Sequence, residues 1–114
     1  MNVFSKSTFK KGLECPNKLY YLNDKTYANQ KQKDSFLNYL AEGGFQVEEL
    51  ARLHYPNGKC IEAESYEYEL AVNQTKTALK EENIVLFDAA FLHDGYYSRC
   101  DIIEKKGNVI RLIE

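Results

Sequence analysis

Residues 83–114, NIVLFDAAFLHDGYYSRCDIIEKKGNVIRLIE, decide the fold. Ile84 to Leu92 and Tyr96 to Glu104 are rich in β-branched and aromatic residues, and between them lies His93-Asp94-Gly95. Asp-Gly between two such runs is a strong signal for a two-residue hairpin loop. Lys105-Lys106-Gly107-Asn108 marks a second turn, after which Val109 to Glu114 returns. The stretch therefore predicts a three-stranded antiparallel β-meander, with the mainly helical residues 1–82 as its support. The expected class is α+β, in one domain spanning residues 1–114.

With Asp94-Gly95 as the loop, His93 pairs with Tyr96, which sets Ala90 against Arg99 and Asp88 against Asp101. A two- or four-residue loop within residues 105–108 is expected to pair Asp101 with Leu112 and Arg99 with Glu114. Asp88, Arg99, Asp101 and Glu114 then share one face, and Phe87, Ala89, Phe91, Cys100, Ile102, Val109 and Ile113 share the other. A three-residue loop would turn Glu114 onto the apolar face, so burial favours the even register.

Like charges directly opposite in a sheet destabilise it, so Asp88 against Asp101 with Glu114 near by calls for a reason. Two readings account for it. A divalent cation, Mg²⁺ or Mn²⁺, suits carboxylate oxygens and would polarise a phosphoryl oxygen. A solvent-facing sheet side, with Arg99 neutralising part of the charge, accounts for the same pattern.

Upstream, Ser5 or Ser7 caps a first helix carrying Phe9 and Leu13, and Pro16 separates it from a second short helix over Asn17 to Leu22. Residues 23–33 are polar and read as a loop. A third helix starts near Asp34 and is expected to break at Gly43-Gly44. Val47, Leu50, Ala51 and His54 then mark a fourth, with Glu48 and Arg52 as an i,i+4 pair. Lys59-Cys60-Ile61 reads as a short extended piece, and the acidic run from Glu62 leads into a last helix reaching about Lys80.

The chain has 114 residues, 44% hydrophobic and 28% charged, as in soluble globular domains. It shows no apolar run of membrane-spanning length and no secretory signal, so a cytoplasmic location without a membrane partner is expected. Cys15, Cys60 and Cys100 have neither disulfide-framework nor zinc-site spacing. The net charge of −2 argues against holding nucleic acid by bulk electrostatics. The first 33 residues nevertheless carry Lys6, Lys10, Lys11, Lys18, Lys25, Lys31 and Lys33 against Glu14 and Asp24, interleaved with Phe and Tyr. That pattern reads either as a phosphate-facing surface with stacking groups or as a solvated helix face.

Ser5-Lys6-Ser7-Thr8-Phe9, Gly12-Leu13-Glu14-Cys15-Pro16-Asn17-Lys18-Leu19-Tyr20, residues 44–52 (GFQVEELAR), Asp88-Ala89-Ala90-Phe91, Asp94-Gly95, Arg99, Asp101 and Leu112-Ile113-Glu114 together resemble the start of a bacterial family of unassigned function. That family is related to RecB-like nucleases of the PD-(D/E)XK superfamily, and the resemblance spans nearly the whole chain. It implies a restriction-endonuclease-like α-β-β-β-α-β core, a Mg²⁺- or Mn²⁺-dependent nuclease activity and DNA as the partner.

On that resemblance Asp101 matches the motif Asp and Glu114 the motif Glu, and Glu49, or alternatively Glu48, matches the acidic helix position. Asp88 matches a further acidic position, giving Asp88, Asp101 and Glu114 as metal ligands. Lys6, Lys10, Lys11, Lys18 and Arg99 are the expected nucleic-acid contacts. The Lys expected two positions after the motif Glu, and the end of the core, do not fall within these residues. The chain is therefore expected to be an N-terminal, inactive portion of a longer nuclease. Relatives also bind an iron-sulfur cluster through a Cys near the start; Cys15 fits that position, with its partners expected only in a longer parent protein. The reading from a different class is a non-catalytic nucleic-acid- or protein-binding module.

Overall fold

A computed structural model describes residues 3–22, 24–27 and 34–114. These form β1 (Phe4–Ser5), α1 (Lys6–Glu14), α2 (Pro16–Tyr21), α3 (Ser35–Leu53), β2 (Lys59–Cys60), α4 (Tyr68–Ala78), β3 (Asn83–His93), β4 (Tyr96–Lys106) and β5 (Val109–Ile113). Contacts divide the chain into two compact units, one of Ser7–His54 and one combining the chain up to Lys6 with Tyr55–Glu114.

The expected meander is the centre of the second unit. Asp94 and Gly95 both take positive φ, 48° and 80°, as a type I′ hairpin loop requires, and His93 pairs with Tyr96 and Ala90 with Arg99. The second loop is Gly107-Asn108, with φ of 58° at Gly107, so Lys106 pairs with Val109, Ile103 with Leu112 and Ile102 with Ile113. The expected pairs, Asp101 with Leu112 and Arg99 with Glu114, are thus displaced by two residues. A shift of two preserves which side each residue faces, so the even parity holds. Continuing the observed register by one residue brings Glu114 level with Asp101.

Two short parallel strands complete a mixed five-stranded sheet in the order β1-β4-β3-β2, with β5 also on β4. Since β3 occupies one side of β4, β1 and β5 lie end to end along the other, β1 at Tyr96 and Tyr97 and β5 at Ile102 to Lys106. β2 covers β3 at Leu86 and Phe87.

The expectation of one apolar and one solvated sheet face is corrected by the burial. Ile84, Leu86, Ala90, Tyr97 and Ile103 share their side with Asp101, and all five are buried. Ala71 and Val72 of α4 join them in one apolar cluster, and Tyr68 of α4 meets Tyr97 edge to face at 4.7 Å between ring centres. On the opposite side Phe87, Ala89, Cys100 and Ile102 are buried too, while Phe91 and Val109 are exposed. Gly58 comes so close to the Phe87 ring that a Cβ there would lie 2.3 Å from Cζ, so the 55–58 turn closes over that side. Thr75 settles the edge of β3 beyond β2. Its buried hydroxyl accepts the Ala90 N–H at 2.9 Å and donates to the Ala71 carbonyl.

In the helical unit, Pro16 begins α2 and Gly12 lies against Leu19, where a Cβ would come within 2.9 Å of Cδ1. Asp34 caps α3 by accepting the N–H groups of Phe36 and Leu37. The expected break at Gly43-Gly44 is absent: α3 runs unbroken to Leu53. Glycine weakens a helix interior by about 1 kcal/mol relative to alanine but leaves the backbone hydrogen bonds available, so flanking apolar turns carry the helix across. Residues 23 and 28–33 of the expected loop, with Lys31 and Lys33, lie outside the described residues. Among the described residues, no helix is long and apolar enough to cross a membrane.

Candidate metal and nucleic-acid site

Topology assembles the one convergence of expected site residues within the sheet unit's described residues. β1 runs parallel to β4 and ends at Ser5 opposite Tyr97, with Lys6 following as the first residue of α1; β5 runs the other way, and its register continued by one residue brings Glu114 level with Asp101. Ser98, Arg99 and Cys100 lie between Tyr97 and Asp101 on β4. The ends of β1 and β5 thus approach each other, and the Lys6 ammonium forms an ion pair with Glu114 Oε2, both side chains about half exposed at 49% and 47%.

The local charges act on one another. The hydrogen bond to Glu114 holds the Lys6 ammonium above its ordinary pKa; burial opposes this, and the charges of Glu114 and Asp101 add to it. Burial pushes the Cys100 thiol upward, as does the Glu114 charge, while Lys6 pulls it down. Cys100 is therefore a neutral thiol between charged neighbours.

Asp88 departs from this group. The ladder pairs Phe87 with Ile102 and Ala89 with Cys100 but skips Asp88 and Asp101, and Asp88 takes a left-handed φ of 58° inside the strand. Such a conformation at a non-glycine residue costs about 1–2 kcal/mol. It also breaks the direct opposition of two carboxylates. Asp88 Oδ2 instead accepts from the Cys60 thiol at 3.7 Å, on the β2 side of β3. The three expected metal ligands therefore divide into Asp101 beside Glu114 and Asp88 beside Cys60. Among the described residues, no three His, Cys, Asp or Glu side chains form a ligand set.

Arg99 is turned to structural use: its guanidinium donates to the Ala63 carbonyl at 2.9 Å, and its Nε is buried without a protein partner. In the helical unit, Lys10 and Lys11 are exposed on α1, and Lys18 pairs with Glu14, which holds the Lys18 ammonium above its ordinary pKa. Glu48 pairs with Arg52 as the spacing predicts, and Glu49 is exposed. Cys15 is a half-buried free thiol at the N-cap of α2. Tyr21 packs its ring at 4.9 Å from Tyr20 and 4.6 Å from Tyr27, and all three are exposed.

Lys6 was assigned to nucleic acid from its place in a basic segment, and its approach to Glu114 has no sequence signal of its own. It follows from β1, a two-residue strand too short to show periodicity. No protein-family profile, curated protein or solved structure matches this chain.

Proposed function

We propose that this chain serves metal-dependent hydrolysis of DNA phosphodiester bonds, with Asp101 and Glu114 as the carboxylates that hold Mg²⁺ or Mn²⁺. The observation that supports the reading is the Lys6–Glu114 ion pair just past the end of β5, where the register continued by one residue brings Glu114 level with Asp101. Paired carboxylate oxygens suit a hard divalent ion, so the residues present fit it as part of a ligand set. When bound, such an ion polarises a phosphoryl oxygen and lowers the pKa of its water. The α+β class and the central meander lend support to the reading, while the nuclease core itself is what the sequence resemblance implies.

Mn²⁺ should raise the melting temperature of the chain, because a ligand bound only by the folded state stabilises it by mass action. Asp101→Asn should remove the shift, and an equal shift in that variant would take Asp101 out of the site. For activity, the measurement is cleavage of labelled DNA by a chain extended to carry a lysine two positions after Glu114, as the resemblance implies. Cutting should require Mg²⁺ or Mn²⁺ and disappear in Asp101→Ala and Glu114→Ala. Metal-independent DNA binding without cutting would instead support a binding module, a reading favoured by the exposed Tyr20, Tyr21 and Tyr27 cluster in a lysine-bearing unit.

A further inference from the structure

Lys6 differs from the other lysines of the basic segment in how it is delivered. β1 is fastened to β4 by backbone pairing at Phe4 and Ser5, the Phe4 N–H donates to the Gly95 carbonyl at 2.8 Å, and the Phe4 ring meets Tyr96 edge to face at 5.8 Å. The next residue is Lys6, so its Cα is held at the edge of β4 and its ammonium reaches Glu114 from a defined origin. Asp101 lies at the same edge, since the register continued by one residue brings it level with Glu114. Asp101 and Glu114 bring two formal negative charges and Lys6 one positive, a formal net charge of −1.

We propose that Lys6 is the resident counter-ion of the Asp101–Glu114 pair and that a divalent cation must displace it to bind there. The inference rests on the reading of those two carboxylates as metal ligands. With a divalent ion added and Lys6 still in place, the same groups would carry +1, and ammonium and metal would repel each other while sharing Glu114. Moving the lysine away relieves that repulsion and releases the Glu114 oxygen. The half-exposed Lys6 side chain has solvent to move into. Metal affinity is thus set partly by competition from within the chain.

Calorimetric titration with MnCl₂ at low salt tests this on the wild type, Lys6→Gln, Lys6→Arg and Asp101→Asn. Lys6→Gln should bind Mn²⁺ about two- to fivefold more tightly than wild type, as expected for losing one partly exposed ionic competitor. Lys6→Arg should stay near wild type, and added salt should narrow the gap. Independently of any variant, the ¹⁵N-detected ammonium signal of Lys6 in the wild type should show a hydrogen-bonded group without metal and a solvent-exchanging one with saturating Mg²⁺. Equal or weaker binding by Lys6→Gln, or an ammonium signal unchanged by Mg²⁺, overturns the displacement while leaving the metal site intact, provided Asp101→Asn still abolishes binding. Absence of Mn²⁺ binding from both wild type and Lys6→Gln overturns the metal reading and the displacement together.

Discussion

Asp88 is a residue whose backbone contradicts its neighbourhood. Strand propensity alone would make valine an improvement among Phe87, Ala89 and Ala90. At a φ of 58°, however, a β-branched side chain meets its own backbone. Asp88→Val should therefore lower stability by roughly 2 kcal/mol, visible as a lower urea midpoint. A midpoint equal to wild type or above it would mean that the left-handed conformation is not needed. The cysteines make a second contrast at this scale. Cys60 is exposed and Cys100 buried, so a thiol reagent should label Cys60 first in the native protein and reach Cys100 only on unfolding. The raised Cys100 pKa has a definite sign for stability. The folded state retains the thiol proton where the unfolded state, titrating near about 8.5, has lost it. The contribution is complete below that pH and fades as pH rises through the folded value. Cys100→Ala should flatten the alkaline limb of a stability–pH curve, and an unchanged limb would assign it to other groups.

At the scale of elements, α3 and α4 give opposite expectations. A Cβ at Gly43 or Gly44 would meet nothing within 4 Å, so Gly→Ala at either position should raise stability by about 0.5–1 kcal/mol through helix propensity alone. Loss of stability on thermal melting would show that the glycines answer to a close contact. In α4, Thr75→Val keeps the shape but removes the acceptor of the Ala90 N–H, and should cost about 1–3 kcal/mol in chemical denaturation. A neutral result would mean that the amide finds another acceptor. The meander was legible in the sequence because Asp94-Gly95 and Gly107 are demanded by loops of positive φ, and a turn residue carries its own geometry. The continuity of α3 was not, because a glycine pair reads alike as a stop and as a weak interior. β2 was legible as an extended piece at Lys59-Cys60, though not its pairing with β3, and β1 was illegible for a different reason. A two-residue parallel strand is selected by the tertiary edge it joins, and no local pattern precedes it.

For the whole molecule, the same division explains how much of the candidate site could be read in advance. Parity along β4 and β5 was enough to put Asp101 and Glu114 on one side, even though the pairing itself lay two residues away. Asp88 was placed at the right level but turned toward Cys60, since alternation of side chains assumes a strand without a left-handed residue. The second buried face was missed because the residues beside Asp101, Ile103 and Tyr97, were weighed by their charged neighbours rather than by α4, which covers them.

The end-to-end placement of β1 and β5 on one edge of β4 also bears on how the chain is made. Phe4 and Ser5 leave the ribosome well before their partners Tyr96 and Tyr97, which emerge only after the intervening helices and β3 have followed. At about 5–20 residues per second, the first strand waits on the order of 5 to 20 s for its place. β3, β4 and β5, joined by two-residue loops, can assemble within microseconds of release. β1 is consequently among the last of these strands to dock, and Lys6 reaches Glu114 only after β5 has been made.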